Sequence, residues 1–210
     1  YLSPSAGCYS FIIQQLLKIV VRIILYTTFM QIPKTYEQLA SSEKVNQAIA
    51  DLAASILRDF ADERPLFVQL LRGAQPFASK LMSEIARQNP MFHPELDSMI
   101  VTTYGAGQKA GGPHIVADLA PTTTVKDRTI IILDDVLDKG ITANFVKRHL
   151  AARQPRNVRL AVLAQKTIDR EINITADYCG FSFGDDWLVG MGMDDASVAP
   201  EGYRWIDEIW

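Results

Sequence analysis

Residues 129–142 read TIIILDDVLDKGIT. The stretch opens on Thr129 to Leu133, all β-branched or aliphatic, which suits a short strand buried on both faces in a parallel sheet. The character then changes within one residue. Asp134, Asp135 and Asp138 put three carboxylates into five positions, and Gly140 and Thr142 follow as a helical pattern begins at about Ile141. Open α/β sheets hold their ligands where a strand ends in a tight glycine turn before a helix. The turn's amides and the helix N-terminus favour an anion such as phosphate. The carboxylates favour sugar hydroxyls or a divalent cation. The segment therefore predicts a phosphorylated-sugar ligand together with Mg2+. As mere helix N-terminal acids, favourable against the dipole, one carboxylate would be explained. Two adjacent ones at the end of an apolar strand would not, because repulsion and desolvation both oppose them.

Outward from this stretch, strands and helices alternate. Ser41 or Ser42 can cap a helix whose apolar residues Val45, Ile49, Leu52, Ala53, Ile56, Leu57 and Phe60 recur at steps of three and four. Strands are expected at 66–71, 98–104, 115–119, 157–165, 177–183 and 187–191. Helices are expected at 75–87 and 142–152. A glycine-rich stretch fills 105–113. The alternation predicts an α/β domain with a largely parallel central sheet flanked by helices.

Composition narrows the function classes. The 210 residues carry 21 basic and 24 acidic side chains, a formal net charge of −3, which leaves no electrostatic footprint for nucleic acid. The two cysteines, Cys8 and Cys179, form neither a CxxC pair nor a zinc spacing, and a reducing cytoplasm suits them. Residues 11–30 are strongly apolar, with Gln14, Lys18 and Arg22 four apart on one helical stripe. Two mid-segment cations weigh against a full membrane span. The segment reads as a helix packed on the domain or a partner, as an upstream extension, or as a membrane-surface helix. Residues 1–31 are set apart as an N-terminal extension, and 32–210 as the α/β domain.

The central segment resembles the PRPP-binding motif of type I phosphoribosyltransferases: apolar strand, two acids, two apolar residues, Asp, one residue, Gly, one residue, Thr. The resemblance implies that Asp134 and Asp135 hold the ribose hydroxyls of PRPP. It implies that Asp138, Lys139, Gly140, Ile141 and Thr142 wrap the 5′-phosphate. Lys139 departs from the family's Thr or Ser and offers the phosphate a point charge. Three further stretches resemble the 6-oxopurine branch, which includes hypoxanthine-guanine phosphoribosyltransferase. Leu71-Arg72-Gly73 is similar to its pyrophosphate loop, which holds a cis non-proline peptide. Thr103-Tyr104 with the glycines after it is similar to its mobile catalytic loop, which must keep water from an oxocarbenium-like ribosyl centre. Lys166 and the segment ADYCGFSFGDDWLVGMGMDD resemble its purine-binding region.

The roles implied by that resemblance are specific. Lys166 donates to the exocyclic oxygen, Tyr178 stacks on the base, Cys179 and Leu188 read its edge through backbone groups, and Asp194 lies near base, pyrophosphate and metal. Tyr203-Arg204 resembles the pair that contacts pyrophosphate, delayed by a surplus at Ala196 to Pro200. Mg2+ would sit among Asp134, Asp135, Asp194 and PRPP. Asp138 would be the catalytic acid or base at purine N7. The expected fold is a type I phosphoribosyltransferase domain with a small hood built mainly from 167–210. The expected activity is purine salvage from PRPP and a 6-oxopurine, in a cytoplasmic homo-oligomer, dimer or tetramer. A nucleotide-binding regulatory protein of the same fold is the second reading, motivated by Lys139 and the displaced Arg204.

Overall fold

The structure, a computed structural model, describes residues 16–18, 20, 35–104, 110–170 and 172–210. The chain divides into two compact units, Tyr1–Glu37 and Gln38–Trp210. Of the first, residues 16–18 and 20 are helical, with Leu16, Leu17 and Val20 exposed. Most of the apolar segment 11–30 lies outside the described residues. Among those described, no helix is long and apolar enough to cross a membrane.

The second unit runs α1 (Ser42–Asp59), β1 (Leu66–Leu71), α2 (Gln75–Gln88), β2 (Glu95–Tyr104), β3 (Ala110–Ala117), β4 (Thr129–Leu137), α3 (Ile141–Ala151), β5 (Asn157–Lys166) and β6 (Tyr178–Phe183). Ser41 caps α1, its hydroxyl accepting from the Lys44 amide at 3.4 Å. The helix then buries Val45, Ile49, Leu52, Ala53 and Ile56, the stripe its period predicts.

The six strands form one sheet in the order β3-β2-β1-β4-β5-β6. Only the β2–β3 pair is antiparallel. Strand β4 shows why the sheet is covered on both sides. Ile131 and Leu133 pack with α1 and α2 residues such as Ile49 and Phe77, while Ile130 and Ile132 pack with Val146 and Leu150 of α3. All four β4 side chains are essentially inaccessible, and at ~25 cal/mol per Å2 of apolar surface such burial is the main stabilising contribution of the strand.

Three segments differ from the sequence expectation. β3 runs from Ala110 to Ala117, taking in the end of the glycine-rich stretch, instead of the expected 115–119. β4 continues through Asp134 and Asp135 to Leu137, because the ladder with β5 persists as far as Leu137↔Gln165. Residues 187–191 are not a strand. Gly190 takes φ 97°, Met191 48° and Gly192 114°, backbone that cannot continue a pleat. That stretch is held by the C-terminal segment instead, Val189 exchanging amide bonds with Trp210. The chain after β6 thus forms a cap of turns, joined to the start of the unit by the Ala40↔Ile209 bridge.

Candidate active site

β1 and β4 are neighbours, yet the chain leaves β1 toward β2 and leaves β4 toward β5. This is the switch point of the sheet, where ligands bind beyond the strands' carboxyl ends. A cavity of about 650 Å3 opens there. It is lined by Arg72 and Gly73 after β1, by Asp134 and Asp135 at the end of β4, by the 138–142 loop, and by Asp194.

The two acids are packed shoulder to shoulder. The Asp135 amide donates to Asp134 Oδ1 at 3.1 Å, and the Val136 amide to Asp135 Oδ1 at 2.9 Å. Burial holds both carboxyls above the ordinary range. Asp134 is displaced further, the charge of Asp135 adding to its burial, whereas bonds to its neighbours and the Arg204 guanidinium moderate the rise at Asp135. By themselves the two acids therefore favour a shared proton, and a cation or hydroxyl donors in the cavity would favour its release.

The loop after β4 is built on Gly140. Its φ of 80° is left-handed, and a Cβ would fall 2.4 Å from Ile174 Cγ2, so both conformation and space require glycine. Gly140 is the N-cap of α3 and supplies no side-chain cap, which leaves the first-turn amides to another acceptor. Thr142 lies in that turn and lines the cavity, as do Ile141 and an exposed Lys139.

On the opposite wall, the Leu71–Arg72 peptide is cis. Gly73 packs so closely on Asp135 that a Cβ would stand 2.4 Å from Oδ2, and Gly192 so closely on Gly73 that its own would stand 2.0 Å from the Gly73 carbonyl oxygen. The two glycines thus let three chain segments close up around the Asp135 side chain. Arg72 pairs with Glu201. The buried Arg204 is bound to Asp194 at 2.8 Å, to Glu201 at 2.5 Å and to the Gly192 carbonyl. Arg204 is not among the residues lining either part of the cavity, and its guanidinium is held against Asp194, which lines both. Tyr203, its neighbour, takes a φ of 59°.

A second recess of about 200 Å3 continues from the first, sharing Asp135, Val136, Asp138 and Asp194 with it. It adds Lys166, Trp187, Leu188 and Met193. Lys166 is 9% exposed, at the end of β5, with its ammonium 3.9 Å from Asp138 Oδ2. Leu188 is buried at its wall.

Tyr178 and Cys179 are not here, which corrects their expected placement. They begin β6, opposite Ala161 and Val162, whereas Lys166 stands opposite Phe183 at the other end. Five residues at ~3.3 Å each separate the two ends by ~16 Å. The Tyr178 hydroxyl donates to Asp59 on α1 at 2.9 Å, and burial with that carboxylate pushes its phenol well up. The Cys179 thiol donates to the Phe181 carbonyl and is raised by burial.

The aromatic at the recess is Trp187, 67% exposed. The expectation of a strand at 187–191 hid it. The rule that ligands gather at the carboxyl ends of strands would have found it, since Trp187 follows β6 and Tyr178 opens it. Thr103 and Tyr104 end β2, and residues 105–109 of the expected mobile loop lie outside the described residues.

Among the described residues, no three acidic, histidine or cysteine side chains close on one ion position. Asp134, Asp135 and Asp194 line one cavity but do not form a protein-only cage. That donor set fits Mg2+, which takes one or two carboxylates and completes its shell from phosphates and water.

Comparison with known proteins agrees with this geometry. Residues 35–196 match the family model described as a phosphoribosyl transferase domain. The chain is 32% identical over 167 residues to the hypoxanthine-guanine phosphoribosyltransferase of Streptococcus mutans, covering 79% of this chain and 87% of that one. It is 31% identical to the Bacillus subtilis enzyme of the same name over the same shares. Among solved structures, a hypoxanthine-guanine phosphoribosyltransferase from Bacillus anthracis superposes with TM-score 0.70 at 27% identity, covering 83% of this chain and 96% of that one. A Staphylococcus aureus hypoxanthine phosphoribosyltransferase gives 0.72 at 26%, covering 82% and 89%.

Proposed function

The chain belongs to the phosphoribosyltransferase family, and on that premise we propose that it is a purine-salvage enzyme. It transfers the 5-phosphoribosyl group of PRPP to N9 of a 6-oxopurine (hypoxanthine, guanine or xanthine), giving the nucleoside monophosphate and pyrophosphate. One observation carries this reading. The acid-lined cavity over the Gly140 loop shares four residues with a recess bearing a buried lysine and an exposed indole. A sugar phosphate fits the first and a base the second.

The residues divide the work. The uncapped amides of 138–142 and the Thr142 hydroxyl take the 5′-phosphate, with Lys139 adding charge at the mouth. Asp134 and Asp135 accept from the ribose hydroxyls. Lys166 donates to the exocyclic O6, which favours a 6-oxo over a 6-amino base because an amine would present a donor to a donor. Trp187 stacks on the base in place of Tyr178, a contact worth ~1–3 kcal/mol for comparable base–aromatic pairs. Backbone groups at Leu188 meet the base edge. Asp138 holds the proton at N7 as N9 attacks the ribosyl carbon. Leu71, Arg72 and Gly73 surround the departing pyrophosphate, with Arg204 acting on it through Asp194. Thr103 and Tyr104 begin the segment that excludes water. Asp134, Asp135 or Asp194, together with PRPP, would hold Mg2+, which would supply charge neutralisation for the leaving group. The setting is cytoplasmic and the assembly a homo-oligomer, dimer or tetramer.

The test is direct. Purified protein is given PRPP, Mg2+ and each of hypoxanthine, guanine, xanthine and adenine, and pyrophosphate release is followed. Turnover is expected with at least one 6-oxopurine and not with adenine. Tight nucleotide binding with no turnover on any base would overturn the enzyme in favour of a regulatory binder.

A further inference from the structure

The β4–β5 ladder stops at Leu137↔Gln165. The next residue on each strand is Asp138 on one side and Lys166 on the other. Their carbonyls are bridged by one side chain from the following loop. Arg170 Nε donates to the Asp138 oxygen at 2.9 Å and Nη2 to the Lys166 oxygen at 2.6 Å. A guanidinium presents its donors in a rigid planar fork, so it fixes the distance between two acceptors as a flexible ammonium cannot. It continues the sheet's pairing for one step beyond the last amide.

That step is where separation matters. The Lys166 ammonium stands 3.9 Å from Asp138 Oδ2, beyond hydrogen-bond length, so both groups keep their bonding capacity for a ligand. Both line the recess that holds Trp187. On a 6-oxopurine, O6 and N7 are neighbours on one edge, and in the free base that attacks through N9, O6 is an acceptor while N7 carries a proton. A donor to O6 and a carboxyl at N7 must therefore keep a fixed spacing, and they come from two separate strands.

We propose that Arg170 is a positioning residue that sets Asp138 and Lys166 in register against the O6–N7 edge of the purine. The inference rests on the roles given to those two residues above and adds the device that aligns them. Arg170 itself is not among the residues that line either cavity.

A strut that merely stabilises the loop would lower folding stability and all ligand affinities together, whereas a positioning residue splits them. For Arg170→Ala, kcat/KM for hypoxanthine is expected to fall roughly 10²-fold, the scale of a small misplacement at a reacting centre. The PRPP dissociation constant should change by less than about threefold, and the melting temperature only slightly. Arg170→Lys reaches one carbonyl but not both and should recover only part of the loss.

Lys166→Met and the double variant complete the cycle. Since Arg170 acts by setting Lys166 against Asp138, and Lys166→Met already removes that pairing, adding Arg170→Ala should cost only about threefold more. If Lys166→Met turns over hypoxanthine normally, the reading of the base recess fails and takes this inference with it. If Lys166→Met is impaired but Arg170→Ala is not, Arg170 has no positioning role. Nor has it one if the two effects simply multiply, or if PRPP affinity and melting temperature fall in step with kcat/KM.

Discussion

Asp134 sits where a charge is costly. It lies within β4 directly after five residues buried in the sheet, and the next side chain is another acid. Its carboxyl is held well above the usual range, by burial first and by the charge of Asp135 second. The consequence for stability has a definite sign. Between the unfolded and the folded titration points the native state binds more protons than the unfolded chain, so stability falls as pH rises through that window. Asp134→Asn removes the cost. The variant should melt higher than the parent at about pH 8, and the difference should shrink as the pH is lowered toward about 4, because the parent's raised carboxyl takes up its proton on the way. Its PRPP affinity should fall by about tenfold or more, equivalent to ~1.4 kcal/mol of lost binding. Thermal melts at the two pH values and a PRPP titration check both halves. An unchanged melting temperature at the higher pH would mean that the ligand-free pair carries no penalty. Functional acids retained against stability in this way are how perturbed carboxyls come to mark active sites.

Between strands, the site depends on loops that lack side chains where they touch. Gly192, Gly73 and Asp135 are stacked, and the φ of 114° at Gly192 lies outside the range of L side chains. Gly192→Ala should therefore cost at least about 2 kcal/mol, the strained backbone adding to a Cβ driven into the Gly73 carbonyl. It should also weaken pyrophosphate and base binding together, because the loop bearing Asp194 is displaced from the loop bearing Arg72; chemical denaturation and product-inhibition kinetics would show the pair of effects. This contact could not be read from the chain, for it joins residues more than a hundred positions apart. β4 could be read, because Thr129 to Leu133 have one physical use, a strand buried on both sides. The acids beyond it were legible for the converse reason, that no structural use explains two of them together. Tyr178 misled because order along a chain does not tell which end of a strand a residue occupies. Register settles it: Tyr178 pairs with Ala161, five residues before Lys166.

The doubly wound sheet brings Arg72, Gly73, Asp134, Asp135, the 138–142 loop and Lys166 to one edge, but the edge is completed by the chain's last residues. Leu39 and Ala40 donate to the Ile209 carbonyl, Ile209 donates back to Ala40, and Trp210 and Val189 exchange amide bonds. The Met191 amide adds a bond to Ile206, and Gly192 one to Arg204. The C-terminal strip therefore lies between α1's approach and the loop carrying Leu188 and Asp194, with Ile209 and Ala40 fully buried beneath it. Sequence patterning carried no sign of this, since a strip of isolated bridges has neither a strand's alternation nor a helix's period. Removing residues 209–210 deletes the bonds to Leu39, Ala40 and Val189, each worth ~1 kcal/mol net, and a buried isoleucine worth ~1.5–3 kcal/mol. The 138–142 loop and the two acids are anchored by β4, α3 and β5, and none of the bonds made by residues 209–210 reaches them. The truncated protein should thus keep its PRPP dissociation constant within about threefold while KM for the base rises about tenfold, a difference of ~1.4 kcal/mol between two parts of one cavity. Steady-state kinetics in hypoxanthine at saturating PRPP, set beside a PRPP titration, separate the two. Equal losses at both substrates would mean that the strip supports the whole sheet edge and not the base loop in particular.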